Sequence, residues 1–209
     1  MISPAQPTGD TRRDERRQAM LDAAESLFME RGFDRTSLAA IVERSGGSLA
    51  TLYDLFESKQ GLLKAVMERN REVKLAGLME EVESGTSCCE SLKKLAMRFH
   101  DFLNSPTAMA MMRIMIAESL RDPVFARKFY CRGRDEVTQE VAALLSKWAK
   151  AGRAAIDDPT EAAALFMAMT LSDTQINAMV PAEGRTCRSV EHDRLAWRVE
   201  HFCKGFGIR

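Results

Sequence analysis

Aromatic residues and proline are scarce in this 209-residue chain: Phe, Trp and Tyr together make up 7% of it, and there are only 6 prolines. No segment alternates polar and apolar residues as a half-buried strand does, and no internal repeat is present. Methionine, in contrast, occurs 13 times, and alanine and leucine are abundant, which favours helix. The composition therefore predicts an all-α fold of about nine helices.

An excess of either charge is also lacking, because 30 Lys and Arg residues balance 30 Asp and Glu residues. This balance excludes a uniformly basic coat for nucleic acid but leaves room for a local basic edge. Apolar residues make up 45% of the chain and charged residues 29%. Such a chain can bury a core and is not expected to be disordered overall.

Long apolar runs are missing as well. The longest nearly apolar stretch covers residues 162–171, far below the roughly 18 residues that a membrane span needs. The first ten residues are largely polar and contain no apolar segment typical of a signal peptide. We therefore expect a cytoplasmic protein with no membrane partner.

The five cysteines, at positions 88, 89, 131, 187 and 203, include no CxxC pair. This spacing predicts neither a disulfide framework nor a zinc site. Free thiols in a reducing compartment are the expected state, and a redox sensor at Cys88 or Cys89 is the alternative.

Signatures of common catalytic sites are absent: the chain has no HExxH, no GxSxG and no phosphate-binding P-loop. His100 adjoins Asp101 and His192 adjoins Asp193, but the side chains of consecutive residues on a helix diverge. The sequence therefore predicts no enzyme, no metal site and no cofactor.

Apolar spacing and capping residues predict where the first helices lie. A disordered arm over residues 1–11 precedes a helix whose apolar stripe runs from Met20 to Phe28 and which ends at Gly32. Two short helices follow, from Leu38 to about residue 44 and from residue 49 to about Phe56, with two glycines between them. We expect one domain over residues 12–57 and a second, helical domain over 58–209.

The two short helices and their glycine turn have the layout of a helix-turn-helix. Ser48, Thr51 and Tyr53 carry hydroxyls that suit phosphate contacts, and the small side chain of Ala50 lets the helix backbone approach DNA closely. The other interpretation of this pattern is a helix pair with a purely structural role.

Residues 12–67 closely resemble the TetR family of bacterial transcriptional regulators. The resemblance rests on RGFDRTSLAAI from Arg31, SGGS from Ser45, ATLY from Ala50 and FESK from Phe56. Residues 107–180 are similar to the C-terminal domain of AefR-like members. The resemblance implies a three-helix DNA-binding domain followed by a larger helical domain that binds a small ligand and forms dimers.

For DNA contact, the resemblance implies residues of the second and third helices and the start of the fourth. These are Thr36, Ser37, Ser48, Leu49, Ala50, Thr51, Tyr53 and Lys59. Residues 1–60 hold 8 basic and 10 acidic side chains, so the basic ones must be segregated to serve DNA. The expected basic edge comprises Arg12, Arg13, Arg16, Arg17 and Arg44 together with Lys59.

Four positions depart from the family pattern. Gly47 stands where the family usually has valine, and Leu49 where it often has a polar or basic residue. Asp54 and Leu55 stand where histidine or tyrosine is common, and Asp54 brings a negative charge close to DNA. These departures leave open an alternative function, that of a helical ligand- or partner-binding module whose helix-turn-helix no longer reads DNA.

In the second domain, the resemblance implies an effector pocket among the middle helices. The candidate lining residues are Phe99, Phe102, Met112, Arg113, Ile116, Tyr130, Phe166, Met169 and Asp173, with Arg113 or Asp173 as a polar anchor in an apolar cavity. A stripe on the last helix, Leu195, Val199, Phe202 and Phe206, is expected to pair with its symmetry mate in a homodimer, together with the helix that begins at Pro159.

The expected function is that of a ligand-responsive repressor. It would bind a pseudo-palindromic operator in double-stranded DNA as a dimer, and a largely apolar small-molecule effector would release it.

Overall fold

The computed structural model describes residues 9–75, 87–171, 179 and 188–209 of the chain. The regular structure in these ranges is helical and comprises nine α-helices, which confirms the predicted all-α fold. They are α1 (Gly9–Arg31), α2 (Leu38–Ser45), α3 (Leu49–Phe56), α4 (Lys59–Leu75), α5 (Cys88–Leu103), α6 (Pro106–Arg121), α7 (Pro123–Lys150), α8 (Pro159–Leu171) and α9 (Arg188–Gly205).

The chain divides into two compact units, one up to Arg71 and one from Glu72 onwards. The division falls inside α4, and so later than the predicted boundary after residue 57. α1 begins at Gly9, which shortens the predicted disordered arm; residues 1–8 lie outside the described part. The predicted continuation of α4 to residue 82 also falls partly outside it, from residue 76.

The end of α1 follows the predicted glycine stop. Gly32 has a φ of +81°, and its N–H donates to the carbonyl of Phe28 at 3.0 Å. The Phe33 ring then packs on Phe28 with ring centroids 5.1 Å apart. A left-handed residue followed by an apolar contact closes the helix, as expected for glycine after the last turn.

The short helices α2 and α3 depend on the N-terminal core for their stability, because eight-residue helices are unstable alone. α2 contributes Ile41, and α3 contributes Leu52 and Phe56, as the sequence predicted. α1 and α4 supply most of the remaining buried side chains: Met20, Leu21, Ala24, Leu27, Phe28, Leu62, Leu63 and Val66.

Arg69 on α4 adds a polar connection to α1. Its guanidinium donates to Asp22 at 2.6 Å and to Glu25 at 2.5 Å, and the neighbouring Asn70 amide also donates to Glu25. The Arg69 side chain is largely buried, so this pairing is screened less than an ordinary surface ion pair.

The C-terminal unit has its own core, formed mainly by α5, α7, α8 and α9. Its largest buried side chains include Leu92, Leu95, Phe99, Leu144, Trp148, Phe166, Leu195, Val199 and Phe202. The end of the chain is held against this core by backbone hydrogen bonds: Cys88 donates to Arg209 at 3.1 Å, and Arg209 donates to Arg153 at 3.1 Å. None of the described helices is long and apolar enough to cross a bilayer.

The predicted dimer stripe on α9 is wrong. Leu195, Val199 and Phe202 are buried in the core of their own chain, and Phe206 packs on the same core. The rings of Phe202 and Phe206 have centroids 4.7 Å apart. An apolar stripe shows that one face of a helix is covered, and here the covering residues belong to the same molecule.

Candidate nucleic-acid interface

α2 and α3 each begin at a serine cap, and a left-handed glycine opens the turn between them. Ser37 Oγ accepts from the N–H of Ala40 at 3.1 Å at the start of α2, and Gly46 ends that helix with a φ of +73°. Ser48 Oγ then accepts from the N–H of Thr51 at 3.1 Å at the start of α3. Ser37 and Ser48 therefore each stabilise the start of a helix.

The departure at Gly47 has a structural counterpart in Met20. A Cβ at Gly47 would meet the terminal methyl of Met20, which is fully buried in the core. The flexible methionine thus fills the space that a valine at the turn would take.

The outer face of α3 presents the predicted recognition residues. Leu52 and Phe56 point into the core, whereas Leu49, Ala50 and Tyr53 are exposed and Thr51 is half-buried. The hydroxyls of Ser48 and Thr51 lie 2.8 Å apart at the first turn. This face therefore combines the small Ala50 and three hydroxyl side chains with the apolar Leu49.

Thr36 does not have the geometry predicted for it. Its side chain is 1% exposed, and its hydroxyl is 2.8 Å from the carbonyl of Gly32 and 3.1 Å from that of Leu27. A hydroxyl committed to internal carbonyls cannot also donate to DNA, so the predicted phosphate contact from this side chain is corrected. Its role is to fasten the end of α1 to the start of α2.

Replacing Thr36 with valine should therefore lower stability rather than affinity. The change keeps the shape but removes the buried hydrogen bond that the hydroxyl shares between the Leu27 and Gly32 carbonyls, which should cost about 1–3 kcal/mol. Amide hydrogen exchange across α1 and α2 would measure the loss, with Thr36→Ser, which keeps the hydroxyl, as the control. Weakened DNA binding by a Thr36→Val protein with wild-type exchange would contradict this assignment.

Three arginines at the start of α1 lie beside α3. An open groove runs between the two helices and is lined by Arg12, Arg13, Arg16, Ala50, Thr51, Asp54 and Leu55. Arg13 lies 3.4 Å from Asp54, and both side chains are exposed. The arginines thus offset the negative charge of Asp54 on α3.

The other predicted members of the basic edge have different surroundings. Arg44 donates to Glu30 at 2.7 and 3.0 Å and to Ser26 at 3.1 Å, so its charge is paired with α1. Lys59 lies with its ammonium 4.3 Å from the centre of the Phe33 ring. This contact holds Lys59 at the start of α4, near the end of α1.

The Arg44 pair makes stability sensitive to acid. The hydrogen bond from Arg44, followed by that from Ser26, lowers the pKa of Glu30 from its usual 4.5 to about 2. A carboxyl whose pKa is lowered on folding adds stability above its unfolded pKa, and this stability is lost as pH falls through the folded value.

We therefore expect the N-terminal unit of the wild type to lose more stability between pH 4.5 and 2 than that of Glu30→Gln. Both partners are partly exposed, so added salt should narrow the difference. Amide exchange of α1 and α2 over this pH range would measure it. Identical pH dependence in the two proteins would show that the pair contributes nothing.

The predicted effector-pocket residues do not share one environment. Phe99 and Phe166 are buried in the packed core, and Phe102, Met112, Ile116 and Met169 are half-buried. Arg113 is exposed, which corrects its prediction as a polar anchor inside a cavity. The side chain of Tyr130 and the whole of Asp173 lie outside the described residues.

Glu118 is a buried polar group that the sequence reasoning missed. It lies on α6, is 5% exposed, and accepts from Arg121 at 3.2 Å. The signal for it was the position of a carboxyl one turn after Met115 on the buried face of the helix.

Three of the five cysteines lie among the described side chains. Cys88, Cys89 and Cys203 are unpaired, and burial raises the pKa of the Cys88 and Cys203 thiols, which keeps both protonated and unreactive. Cys131 and Cys187 belong to the part of the chain whose side chains are not described.

The prediction that the side chains of His100 and Asp101 diverge is wrong. His100 and Asp101 are consecutive on α5, yet both lie close to His192 of α9, whose Nε2 is 2.7 Å from Asp101 Oδ1. Sequence gave no signal for this cluster, because 91 positions separate its two halves.

Comparison with known families covers most of the chain. Residues 20–66 match the family described as bacterial regulatory proteins, tetR family. Residues 90–206, more than half of the chain, match the AefR-like transcriptional repressor, C-terminal domain.

Curated relatives agree with these matches. The chain is 33% identical over 91 residues to the HTH-type transcriptional activator FasR of Mycolicibacterium smegmatis, covering 44% of this chain and 42% of FasR. It is 47% identical over 53 residues to the HTH-type transcriptional repressor ComR of Escherichia coli, covering 25% of each protein. The chain thus aligns with less than half the length of either relative. Both are regulators, which agrees with the expectation of a non-enzyme.

A solved structure extends the likeness to the whole fold. A protein from Mesorhizobium loti assigned to the TetR family of transcriptional regulators superposes with a TM-score of 0.81. The superposition covers 94% of this chain and 98% of that one, at 24% sequence identity. This similarity concerns the fold.

Proposed function

The chain belongs to the TetR family of bacterial transcriptional regulators, and from this we propose that it is a dimeric repressor whose operator is released by a small-molecule effector. The observation that carries the DNA-binding part is the juxtaposition of α3 with the arginines of α1. Leu49, Ala50 and Tyr53 face outwards on α3, and Arg12 and Arg13 lie alongside.

Each part of this interface has a distinct task. The arginines and the Tyr53 hydroxyl suit the phosphate backbone, which positions the protein without reading sequence. Ala50 and Thr51 lie at the start of α3, the part of a recognition helix that meets base edges. Arg13 beside Asp54 lowers the repulsion between that carboxylate and phosphate. Lys59 completes the proposed phosphate contacts at the start of α4.

We place the dimer surface on the exposed sides of α8 and α9. These helices pack on each other through Phe166 and Phe202, whose ring centroids are 5.7 Å apart. Outside that core, Leu165 of α8 is 53% exposed and Trp197 of α9 is 62% exposed. Two large apolar side chains on neighbouring helices suit a self-complementary interface better than the buried stripe predicted from sequence.

Repression is the favoured direction of control because the C-terminal unit matches the AefR-like repressor domain. The similarity to the activator FasR and to the repressor ComR supports a regulator in either direction. The effector is proposed to be largely apolar, since Phe102, Met112 and Ile116 are half-buried on α5 and α6.

Binding of the effector and of DNA must then oppose each other equally. A ligand that lowers operator affinity by some factor has its own affinity lowered by the same factor when DNA is present. A ligand that binds the protein equally well with and without DNA does not act through this equilibrium.

DNA selection tests the proposal. The full-length protein would be incubated with the DNA flanking its own gene and with random duplex pools, and selected sequences would be titrated across a salt series. We expect enrichment of a pseudo-palindrome with half-sites roughly one helical turn apart. Tyr53→Phe should weaken binding about 3–10-fold, the worth of one hydrogen bond.

One arginine variant and one lysine variant test whether the loss of a positive charge weakens DNA binding only at the proposed interface. Arg12→Ala should weaken binding to all sequences and reduce the salt slope by about 1, as loss of one phosphate contact does. Lys150→Ala, an exposed lysine at the end of α7, should leave both unchanged. If neither source of DNA yields a specific sequence, the proposed operator binding is wrong. The alternative, a helical module that binds a ligand or a protein partner and does not recognise DNA, then describes the chain better.

A further inference from the structure

Two histidines and an aspartate meet where α5 packs on α9 in the C-terminal unit. Nε2 of His192 lies 2.7 Å from Oδ1 of Asp101, and Nδ1 of His100 lies 3.6 Å from the same oxygen. The three ligand atoms are within 4.8 Å of one another, and the two imidazole rings meet edge-on with centroids 5.4 Å apart. Neither the DNA-binding surface nor the proposed effector region uses this cluster.

The cluster contains a nitrogen that the protein leaves without a hydrogen bond. Nδ1 of His100 is buried, and no hydrogen-bond partner is present among the described residues. The Asp101 carboxylate lies 3.6 Å away, too far for a hydrogen bond. A buried nitrogen without a hydrogen bond lowers the stability of the folded state. A ligand that bonds to this nitrogen would remove that cost, and this favours its binding.

We propose that His100, Asp101 and His192 form a binding site for a divalent transition metal ion, with Zn²⁺ as the preferred occupant. Two imidazoles and one carboxylate suit zinc and its neighbours in the first transition row. Magnesium and calcium prefer sites built from oxygen alone. This metal site is not part of the proposed DNA-binding function and does not depend on it.

The two separations that involve Asp101 are close to those that a tetrahedral ion needs, and all three ligand atoms lie within 4.8 Å of one another. With zinc–nitrogen and zinc–oxygen bonds of about 2.0–2.2 Å, neighbouring ligand atoms lie about 3.3–3.6 Å apart. The 3.6 Å separation between His100 and Asp101 already matches. The 2.7 Å hydrogen bond between His192 and Asp101 must open by less than about 1 Å.

Proton bookkeeping is simple at this site. The ion takes the place of the proton that Nε2 of His192 shares with Asp101. In a neutral ring that proton moves to Nδ1, and in an imidazolium it passes to solvent. His100 binds through Nδ1 and keeps its proton on Nε2, and Asp101 binds as a carboxylate.

Metal binding here would join two helices that are distant in sequence. His100 and Asp101 lie near the end of α5, and His192 lies near the start of α9. Three protein ligands leave a fourth position for water, as in zinc sites that exchange a ligand. Because the ion binds only the folded arrangement, it should stabilise the C-terminal unit.

Calorimetry on the full-length, tag-free protein tests the site. Metal-stripped protein would be titrated with zinc chloride, and its thermal unfolding would be followed with and without zinc. We expect one zinc ion per chain at this site and a rise in Tm of roughly 5–10 °C at a hundredfold excess over Kd. His192→Ala and His100→Ala should each weaken zinc binding at least about 100-fold.

Two further variants keep the test decisive if an alanine variant folds poorly. Asp101→Asn preserves shape and one acceptor oxygen but removes the charge, and it should also weaken binding. His201→Ala is the matched control, because His201 is exposed on the same helix as His192 and its Nδ1 lies 2.8 Å from the Trp197 carbonyl. It should bind zinc with wild-type affinity.

Cobalt substitution separates this site from one made of thiols. Cobalt bound to nitrogen and oxygen ligands should show visible ligand-field bands without the near-ultraviolet charge-transfer band of thiolate ligation. Wild-type zinc affinity in His192→Ala and His100→Ala would overturn the proposal. So would a thiolate band together with loss of binding in Cys89→Ser.

Discussion

Replacing Phe166 with alanine is expected to lower the free energy of unfolding of the C-terminal unit by about 3–5 kcal/mol. The side chain is 0% exposed and belongs to the core formed by α5, α7, α8 and α9. Truncation removes a large apolar surface and leaves a cavity that the neighbouring Phe202 ring fills only in part. This size of loss approaches the whole stability of a marginal domain.

Tryptophan fluorescence in urea would measure the effect without interference from the N-terminal unit. Trp148 and Trp197 are the only two tryptophans, and both belong to the C-terminal unit. Leu120→Ala, at an 83% exposed position on α6, is the control and should change stability by less than about 0.5 kcal/mol. A Phe166→Ala protein with near-wild-type stability would instead support the sequence-based prediction that this residue lines a ligand cavity.

Unlike Phe166→Ala, replacing Leu165 with aspartate should leave the fold of each chain intact. It should instead dissociate the proposed dimer. Leu165 is the neighbour of Phe166 along α8, but its side chain faces away from the core. In a self-complementary interface each copy carries the substitution. Dimerisation would therefore have to remove two carboxylates from water, and each removal is unfavourable. We expect the dissociation constant to rise at least about 100-fold, which corresponds to about 2.7 kcal/mol.

Sedimentation across a protein concentration series would show this shift, and operator binding should weaken in parallel because each half-site would then be bound separately. Leu120→Asp makes the same chemical change on α6 and should leave the association unchanged. A Leu165→Asp protein that remains dimeric at wild-type concentrations would remove α8 from the interface, and Trp197→Ala would then test α9 alone.

Local sequence determined where several helices begin and end. Gly32 ends α1 because glycine adopts the left-handed conformation without strain. Ser37, Ser48 and Ser105 cap α2, α3 and α6, because their side chains accept from an N–H that the helix itself leaves unpaired. Because these interactions span at most four residues, they can be predicted from the sequence without knowledge of the tertiary structure.

The family and the outward face of α3 were also legible from sequence, since Leu52 and Phe56 mark its inner side and a fixed pattern of residues surrounds them. The partners of those residues were not. Thr36 belongs to the family pattern, but only the structure shows its hydroxyl turned towards Leu27 and Gly32. Arg44 likewise has its charge paired with Glu30 of another helix.

Tertiary structure alone decided which surface covers each apolar stripe and which distant side chains meet. The stripe on α9 predicted burial correctly, but periodicity carries no information on whether the covering residues come from the same chain or from a second copy. Packing assigns Leu195, Val199 and Phe202 to their own core. It also brings His192 to Asp101. Such contacts follow from how whole helices pack, and helix packing depends on the combined shape of many side chains rather than on any local run of sequence.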